Sequence, residues 1–349
     1  MKFAFLCKES KQSSGFKVAV VGSGAAGLSA AGYLVCKGHE IDFYEKLPIP
    51  GGLMTFAIPK SRIPLESVFE GIEDLERNFP VRFNLRVKVC CDGEKDEGDH
   101  LSERTISPSE LSRNYDALLI TTGTWKSRSL DIDGENASNV FSAIEYLIRL
   151  HSSILNLEEP ELKPERVIVI GGGLSAIDAV EESLNAGARE VHLVYRRTVK
   201  EAPAGEWEVR RVMSKGAKFI ELAAPKRVVT EGGVARGVEF QRMKLGETDE
   251  TGRPKPVPVE GSEFTIEADV IVKAIGEVPT PPFTRGCEFS EFLDDRGRIR
   301  VDRNFNLTGT NIFAAGDVVT GPSKIGRAVK QGLHAAKSID ELLPKMSKR

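Results

Sequence analysis

The stretch that most constrains this chain runs from Phe16 to Lys46. Phe16-Lys17-Val18-Ala19-Val20-Val21 is a short β-branched apolar run of the kind that forms a strand buried on both faces. It leads into Gly22-Ser23-Gly24-Ala25-Ala26-Gly27. In that order the first glycine permits a tight turn, the second lets a pyrophosphate touch the backbone, and the third lets helix and strand pack closely. From Leu28 to Cys36 the residues are small or apolar, as a helix buried against a sheet requires, and Gly38 is placed to end it in a left-handed turn. A second strand, Glu40-Ile41-Asp42-Phe43-Tyr44, ends at Glu45, where an acidic side chain can accept hydrogen bonds from a ribose. Strand, glycines, helix, strand and terminal acid in this order predict a dinucleotide-binding unit.

The same logic recurs at Arg166-Val167-Ile168-Val169-Ile170 followed by Gly171-Gly172-Gly173-Leu174-Ser175-Ala176. Its helix runs to about Asn185, Gly187 caps it, and the next strand is Val191-His192-Leu193-Val194-Tyr195. That strand ends in Arg196-Arg197 and not in an acid. A ribose 2′-phosphate would be repelled by a carboxylate and gripped by a guanidinium fork, so the second unit is expected to prefer NADPH to NADH. It closes with Ala268 to Gly276, whose Ala274 and Gly276 stand at a strand end, and Val278-Pro279-Thr280-Pro281-Pro282 reads as a stiff connection back to the first unit.

With 349 residues the chain exceeds what one α/β core usually holds, in keeping with two domains. We expect residues 1–130 with 283–349 to form the first and 131–282 the second. The net charge of −3 and the lack of a long basic run give no reason to expect nucleic acid or an anionic membrane as partner. Phe3-Ala4-Phe5-Leu6 is too short for a signal-peptide core and no segment has the length to span a bilayer, so the expectation is a soluble, cytoplasmic protein. The cysteines, at 7, 36, 90, 91 and 287, show no C-x-x-C and no zinc or iron–sulfur spacing; they read as core or surface thiols, with no metal site.

Several further segments carry expectations. Residues 1–15 read as an extended arm. Pro48-Ile49-Pro50-Gly51-Gly52-Leu53-Met54 is either an ordinary turn or a backbone stretch cleared for a flat ligand. Residues 65–78 carry Val68, Ile72 and Leu75, with Phe79 beyond, at helical spacing. Val81–Leu85 and Val87–Val89 read as half-exposed strands, and the charged run from Asp92 to Arg104 as a solvated hairpin loop. Tyr115 to Ile120 is a buried strand that runs into Thr121-Thr122-Gly123-Thr124-Trp125, at a strand end where open α/β sheets bind ligands. Lys218 to Phe240 suggests a β-meander turning at Gly232-Gly233, and Gly246 to Gly261 a polar hairpin-like excursion. Asn311 to Asp317 is a strand leading to a glycine and an acid, followed by a helix over 325–342 whose N-terminus faces that acid's ligand.

Taken together, these residues resemble the FAD- and NADPH-binding portion of the glutamate synthase small subunit, among flavoproteins with two dinucleotide-binding domains. Five motifs carry the resemblance: Gly22–Gly27, Pro50-Gly51-Gly52-Leu53 with Ile58-Pro59, Thr122-Gly123, Gly171–Gly173 with Tyr195-Arg196-Arg197, and Phe313-Ala314-Ala315-Gly316-Asp317. Lys200-Glu201-Ala202-Pro203-Ala204, after the arginine pair, is also similar. The resemblance implies an α/β fold of two Rossmann-like domains, one for FAD and one for NAD(P)H, the second inserted in the first. It implies that Glu45 binds the adenosine ribose of FAD, Val89 the adenine through its backbone, Asp317 the ribityl chain, and the backbone near Ile325 the flavin N1 and O2. The candidate FAD contacts are Gly22, Gly24, Ala26, Gly27, Glu45, Lys46, Gly52, Leu53, Ile58, Arg62, Val89, Thr122, Gly123, Thr124, Gly316, Asp317 and Ile325. Those for NADPH are Gly171, Gly173, Leu174, Ser175, Ala176, Arg196, Arg197, Ala274 and Gly276.

There are three departures. The family's N-terminal cysteine-rich iron–sulfur domain is not in this sequence, Met54-Thr55-Phe56 stands where an arginine and a tyrosine are usual, and Trp125 replaces a smaller residue. The expected reaction is hydride transfer from NADPH to FAD, the rings stacked between the domains, with no protein acid or base required. Electrons would then pass to a protein acceptor, a ferredoxin or an iron–sulfur subunit, through an exit lined by Trp125 and Met54-Thr55-Phe56, unless Trp125 simply packs in the core. The competing readings are a disulfide reductase using Cys90-Cys91 and a non-catalytic subunit that holds FAD or a nucleotide for a larger dehydrogenase complex; an oligomer is open.

Overall fold

The computed structural model describes residues 1–9, 11–91, 93, 95–157, 162–248 and 252–346. Asp92 and Glu94 of the charged run and residues 249–251 of the polar excursion lie outside the described residues. The chain divides into two compact units, Met1–Lys126 with Glu277–Arg349, and Ser127–Gly276.

The first unit is built on a five-stranded parallel sheet in the order Ile312–Ala314, Ala117–Ile120, Lys17–Val21, Glu40–Tyr44, Val81–Asn84. Both faces of its centre are covered, which is why the strands read as unbroken apolar runs. Val18, Ala19, Val20, Ile41 and Phe43 are fully buried, and Phe43 stacks on Phe83 at 4.6 Å between ring centroids. The helix Ala25–Val35 is apolar nearly all round and buries nine residues. It packs against the long helix Ile325–Met346, and the approach is close because of Gly332, where a Cβ would lie 2.2 Å from the Ala26 carbonyl oxygen. The helix Leu65–Asn78 seats Val68, Ile72 and Leu75 inward, as the spacing predicts.

The N-terminal arm is held at several points. Phe3 and Ala4 are buried, and Gly32 lets the arm cross the first helix with Phe3 O 2.1 Å from where its Cβ would be. Cys7 is disulfide-bonded to Cys36 at the end of that helix. A second disulfide joins Cys91 to Cys287 and so ties together the two sequence segments of this unit. Four cysteines expected as thiols are therefore bridged, their Cα atoms 5.5 and 6.3 Å apart, and Cys90 is in no disulfide.

The second unit has its own parallel sheet, ordered Lys218–Ile220, Glu190–Val194, Arg166–Gly171, Val270–Ala274, Val140–Ser142. An antiparallel sheet of Ala223–Glu231, Val234–Thr248 and Pro254–Glu267 is attached to it. Lys218–Ile220 thus belongs to the parallel sheet and not to the meander. The polar excursion belongs to two antiparallel strands that run through Gly246 to Thr248 and from Pro254 through Gly261. The turn at Gly232-Gly233 has both residues at positive φ, the conformation two-residue hairpin loops need.

Candidate functional site

At the carboxyl end of the first sheet lies a cavity of about 500 Å³, in the size range of small-molecule sites. The three glycines of the first turn divide the labour as their positions suggest. Gly22 has φ +90°, and a Cβ there would meet Thr121 O at 2.7 Å; at Gly27 it would meet Gly22 O at 2.2 Å. Both are therefore packing requirements. A Cβ on Gly24 would meet nothing within 4 Å, and Gly24 lines the cavity. The backbone there is bare at the cavity wall.

Gly24 is also the N-cap of Ala25–Val35, which has neither a side-chain cap nor an acid in its first turn. Elsewhere the sequence supplies caps: Ser107 accepts from Ser109 N, and Ser142 and Glu145 form a capping box. The uncapped helix keeps its N-terminal amides and positive dipole end for an anion. Thr122, whose hydroxyl is buried and has no hydrogen-bond partner among the described residues, also lines the cavity. An orphaned buried hydroxyl costs about 1–3 kcal/mol, which a bound polar group would recover.

Glu45, 4% exposed, accepts from Ser23 N at 2.8 Å and Ser23 Oγ at 2.7 Å, and its other oxygen accepts from Leu47 N at 3.0 Å. These bonds fix the carboxylate at the cavity wall with lone pairs to spare for ribose hydroxyls. Asp317 lines the far end; burial raises its pKa, and its Oδ1 accepts from Ser323 Oγ at 2.5 Å. Gly52, with φ +56°, lets the double-glycine turn approach to where its Cβ would lie 3.0 Å from Gly24 Cα. The cavity also takes in Ala26, Lys46, Leu53, Ile58, Val89, Gly123, Thr124, Gly316 and Ile325 with Gly22, Gly24, Glu45, Gly52, Thr122 and Asp317. Gly27 and Arg62 are not on its wall.

Only part of the charged run is solvated: Lys95, His100, Glu103 and Arg104 are exposed, but Asp96 to Asp99 fold against the protein. Lys46 Nζ donates to Glu97 O at 2.7 Å, pairs with Asp99 at 3.1 Å, and lies 4.6 Å from the centre of the Trp125 ring. Lys88 bridges Asp96, at 3.2 Å, and Asp99. Burial lowers the Lys46 pKa against the pull of Asp99, whereas at Asp99 burial is outweighed by Lys46 and the pKa falls below the usual carboxylate range. Lys46, Lys88 and Asp96 line the cavity. An ammonium taken from water needs such partners, so the acids fold over it. The repeat Asp96-x-x-Asp99, one turn of Asp99–Leu101 helix with Leu101 buried, was the available signal.

The expected electron exit is corrected in the same place. Trp125 is 6% exposed, and its carbonyl accepts from Glu97 N at 2.8 Å. Met54, Thr55 and Phe56 are buried, Thr55 donating to Pro50 O. Trp125 and Met54 wall the cavity from inside and offer no surface to an acceptor. Cys90 and Cys91 do not pair with each other, because Cys91 is bridged to Cys287.

In the second unit a Cβ on Gly171 would lie 2.2 Å from Ala274 O, and one on Gly172 would strike the Tyr195 ring at 2.6 Å, while Gly173 is open like Gly24. Gly173 caps the helix Leu174–Asn185, again with no side-chain cap and no first-turn acid. Leu174 and Ser175 are half-exposed at its start and Ala176 is buried behind them. Gly276 turns the chain at φ +108° after Ala274, its carbonyl accepting from Arg128 N at 3.0 Å. Ala204 N donates to Gly172 O at 3.0 Å, which folds the Lys200–Ala204 segment back onto the glycine turn. The arginine pair does not act as one fork. Arg196 is exposed, whereas Arg197 is 4% exposed and donates through Nε to Pro254 O at 2.7 Å.

Among the described residues no group of three His, Cys, Asp or Glu side chains could hold a metal ion, and no helix is long and apolar enough to cross a membrane. Residues 16–332 match the family described as pyridine nucleotide-disulphide oxidoreductase. The NADP(+)-dependent formate dehydrogenase subunit beta of Moorella thermoacetica is 37% identical over 334 residues, covering 95% of this chain and 44% of that protein. The glutamate synthase (NADPH) small chain of Azospirillum brasilense is 34% identical over 333 residues, 93% of this chain and 66% of that one. The chain thus spans about half to two thirds of the length of these curated relatives. Among solved structures, FprA from Mycobacterium tuberculosis in complex with NADPH gives a TM-score of 0.72 at 19% identity, covering 95% of this chain and 86% of that one. Thioredoxin reductase from T. acidophilum gives 0.64 at 24% identity, covering 93% and 98%. At these identities the likeness shows the fold.

Proposed function

We propose that this chain, which belongs to the pyridine nucleotide-disulphide oxidoreductase family, is an NADPH-dependent flavoprotein: it holds FAD in the cavity of its first unit, binds NADPH on its second, and delivers electrons to a protein acceptor. The observation that carries the reading is the open Gly24 position on an uncapped helix, facing the same cavity as the partnerless Thr122 hydroxyl. A pyrophosphate satisfies the helix amides and a polar chain beside it satisfies Thr122.

When bound, the flavin accepts hydride from the nicotinamide and can release electrons singly. This chain's own residues bind and orient. Glu45 accepts from the adenosine ribose, the Val89 backbone meets the adenine, Asp317 accepts from the ribityl chain, and the amides beginning at Ile325 present a positive helix end to the reduced ring. Lys46, neutralised by Asp99, closes the cavity wall beside Glu45 without adding net charge. On the second unit Gly171, Gly173, Leu174, Ser175 and Ala176 offer the pyrophosphate a helix start, Ala274 and Gly276 flank it, and Arg196 meets the 2′-phosphate. Relatives named as a subunit beta and a small chain support a protein redox partner in general, and we assign a ferredoxin or iron–sulfur subunit to that place. We assign the protein to the cytoplasm, where its disulfides would have to resist the glutathione pool.

Steady-state dye reduction tests the nucleotide assignment. NADPH should be used far more efficiently than NADH, and Arg196→Leu should cost roughly 1.5–3 kcal/mol of NADPH binding while sparing NADH. Equal use of both nucleotides by the unaltered protein would refute it.

A further inference from the structure

The hairpin of Val234–Thr248 and Pro254–Glu267 is longer than its core requires. Its inner half is packed, with Val238 and Phe240 fully buried, but Lys244 to Thr248 are all exposed. A register shift between Gln241, opposite Glu263, and Met243, opposite Pro258, marks where the inner half ends. The hairpin is fastened to the turn that follows Glu190–Val194 at two places, Met243 beside the register shift and Pro254 opposite Thr248. Arg197 Nε donates to Pro254 O at 2.7 Å on one strand, and the Arg197 carbonyl accepts from Leu222 N at 3.2 Å. Leu222 O in turn accepts from Met243 N of the other strand at 2.7 Å. One residue thereby holds both strands, by side chain and by backbone.

We propose that Arg197 is a positioning residue for the 2′-phosphate subsite: it fastens the turn to the hairpin and so holds the exposed Arg196 as the side chain that meets the phosphate. The inference rests on the NADPH reading above and refines it. With Arg197 drawn into the protein, its neighbour Arg196 is exposed and makes no hydrogen bond or ion pair among the described residues. Thr198 fixes the other side of the turn, its N and Oγ1 donating to Glu201 Oε2 at 3.0 and 2.6 Å. A guanidinium on a pinned turn loses less freedom on binding than one on a loose turn, and this is the source of the expected gain.

Calorimetric binding of 2′,5′-ADP and 5′-ADP to the FAD-loaded protein separates the roles. Arg196→Leu should weaken 2′,5′-ADP roughly 10- to 100-fold. Arg197→Met should weaken it about 3- to 10-fold and add nothing in the Arg196→Leu background, because it acts through Arg196. Arg197→Lys, which can still donate to the Pro254 carbonyl, should recover most of the loss, and 5′-ADP should be indifferent throughout. Flavin content reports that each variant is folded, and if Arg197→Met does not fold, Arg197→Lys alone must bind nearly as the unaltered protein does. An Arg197→Met penalty as large as that of Arg196→Leu and additive with it, or no penalty at all, would overturn the positioning role. Unaltered protein that does not distinguish 2′,5′-ADP from 5′-ADP would overturn the NADPH reading and this inference together.

Discussion

Replacing Gly24 with valine should empty the first unit of FAD without unfolding it. The backbone at Gly24, φ −73° and ψ −169°, is extended and open to any L-residue, and its Cβ would meet no protein atom within 4 Å. The folding cost is therefore within about 0.5 kcal/mol, and loss of glycine's freedom in the unfolded chain acts the other way by a similar amount. The added carbons stand where the pyrophosphate must approach the amides. If two charge-assisted bonds of about 1.5–3 kcal/mol each are lost, FAD binding weakens roughly 10²- to 10⁴-fold. The control is Gly27→Ala, whose Cβ would lie 2.2 Å from Gly22 O and 2.8 Å from Thr121 Oγ1. That substitution should destabilise the apoprotein by about 1–3 kcal/mol. Flavin content after reconstitution, with thermal unfolding of the apo forms, reads both. A Gly24→Val protein that folds and retains stoichiometric FAD would refute the assignment of the cavity.

Asp99→Asn leaves Lys46 buried beside Trp125 with its main counter-charge gone, and should cost about 2–4 kcal/mol of stability and weaken FAD, as denaturant unfolding and flavin titration will show. Removing the Cys91–Cys287 bridge by double serine substitution should lower stability by about 2–5 kcal/mol, read as a shift of the unfolding midpoint, and unaltered protein should show one titratable thiol until denatured and reduced. Glu181, almost wholly buried, has its pKa pushed down to about 2: burial raises it, but the hydrogen bonds from Arg211 at 2.8 Å and Lys215 at 2.5 Å prevail. A depressed carboxylate stabilises above its unfolded value near 4.5 and loses that contribution as pH falls towards 2, so Glu181→Gln should cost up to about 3 kcal/mol at neutral pH and flatten acid unfolding across that window.

The two nucleotide-binding units were legible because their signals are local. Gly22, Gly24 and Gly27 sit at fixed offsets between a strand and a helix, and the structure shows close packing at Gly22 and Gly27 and open space at Gly24. Glu45 and Asp317 were legible as strand-end acids, and both stand on the cavity wall. What the sequence hid depends on distant partners. Asp96 and Asp99 read as solvated because nothing near them in the chain says that Lys46, some fifty residues earlier, is buried beneath them. Arg197 read as half of a fork because Pro254, its partner, lies 57 residues on. The cysteine pairs are 29 and 196 residues apart, and only the fold brings them within bridging distance. Trp125 stayed open between an exit lining and a core residue because nothing local says that its ring, 6% exposed, lies 4.6 Å from Lys46 Nζ.

The central claim is tested most directly by anaerobic titration of the FAD-reconstituted protein with NADPH, following the flavin's visible absorption band. The account predicts that the band bleaches with about one NADPH per FAD, that NADH bleaches it far more slowly, and that a ferredoxin-type acceptor restores it. Protein that binds FAD but does not bleach with NADPH would make this a nucleotide-holding subunit and not a reductase, and protein that takes up no FAD would contradict the account at its base.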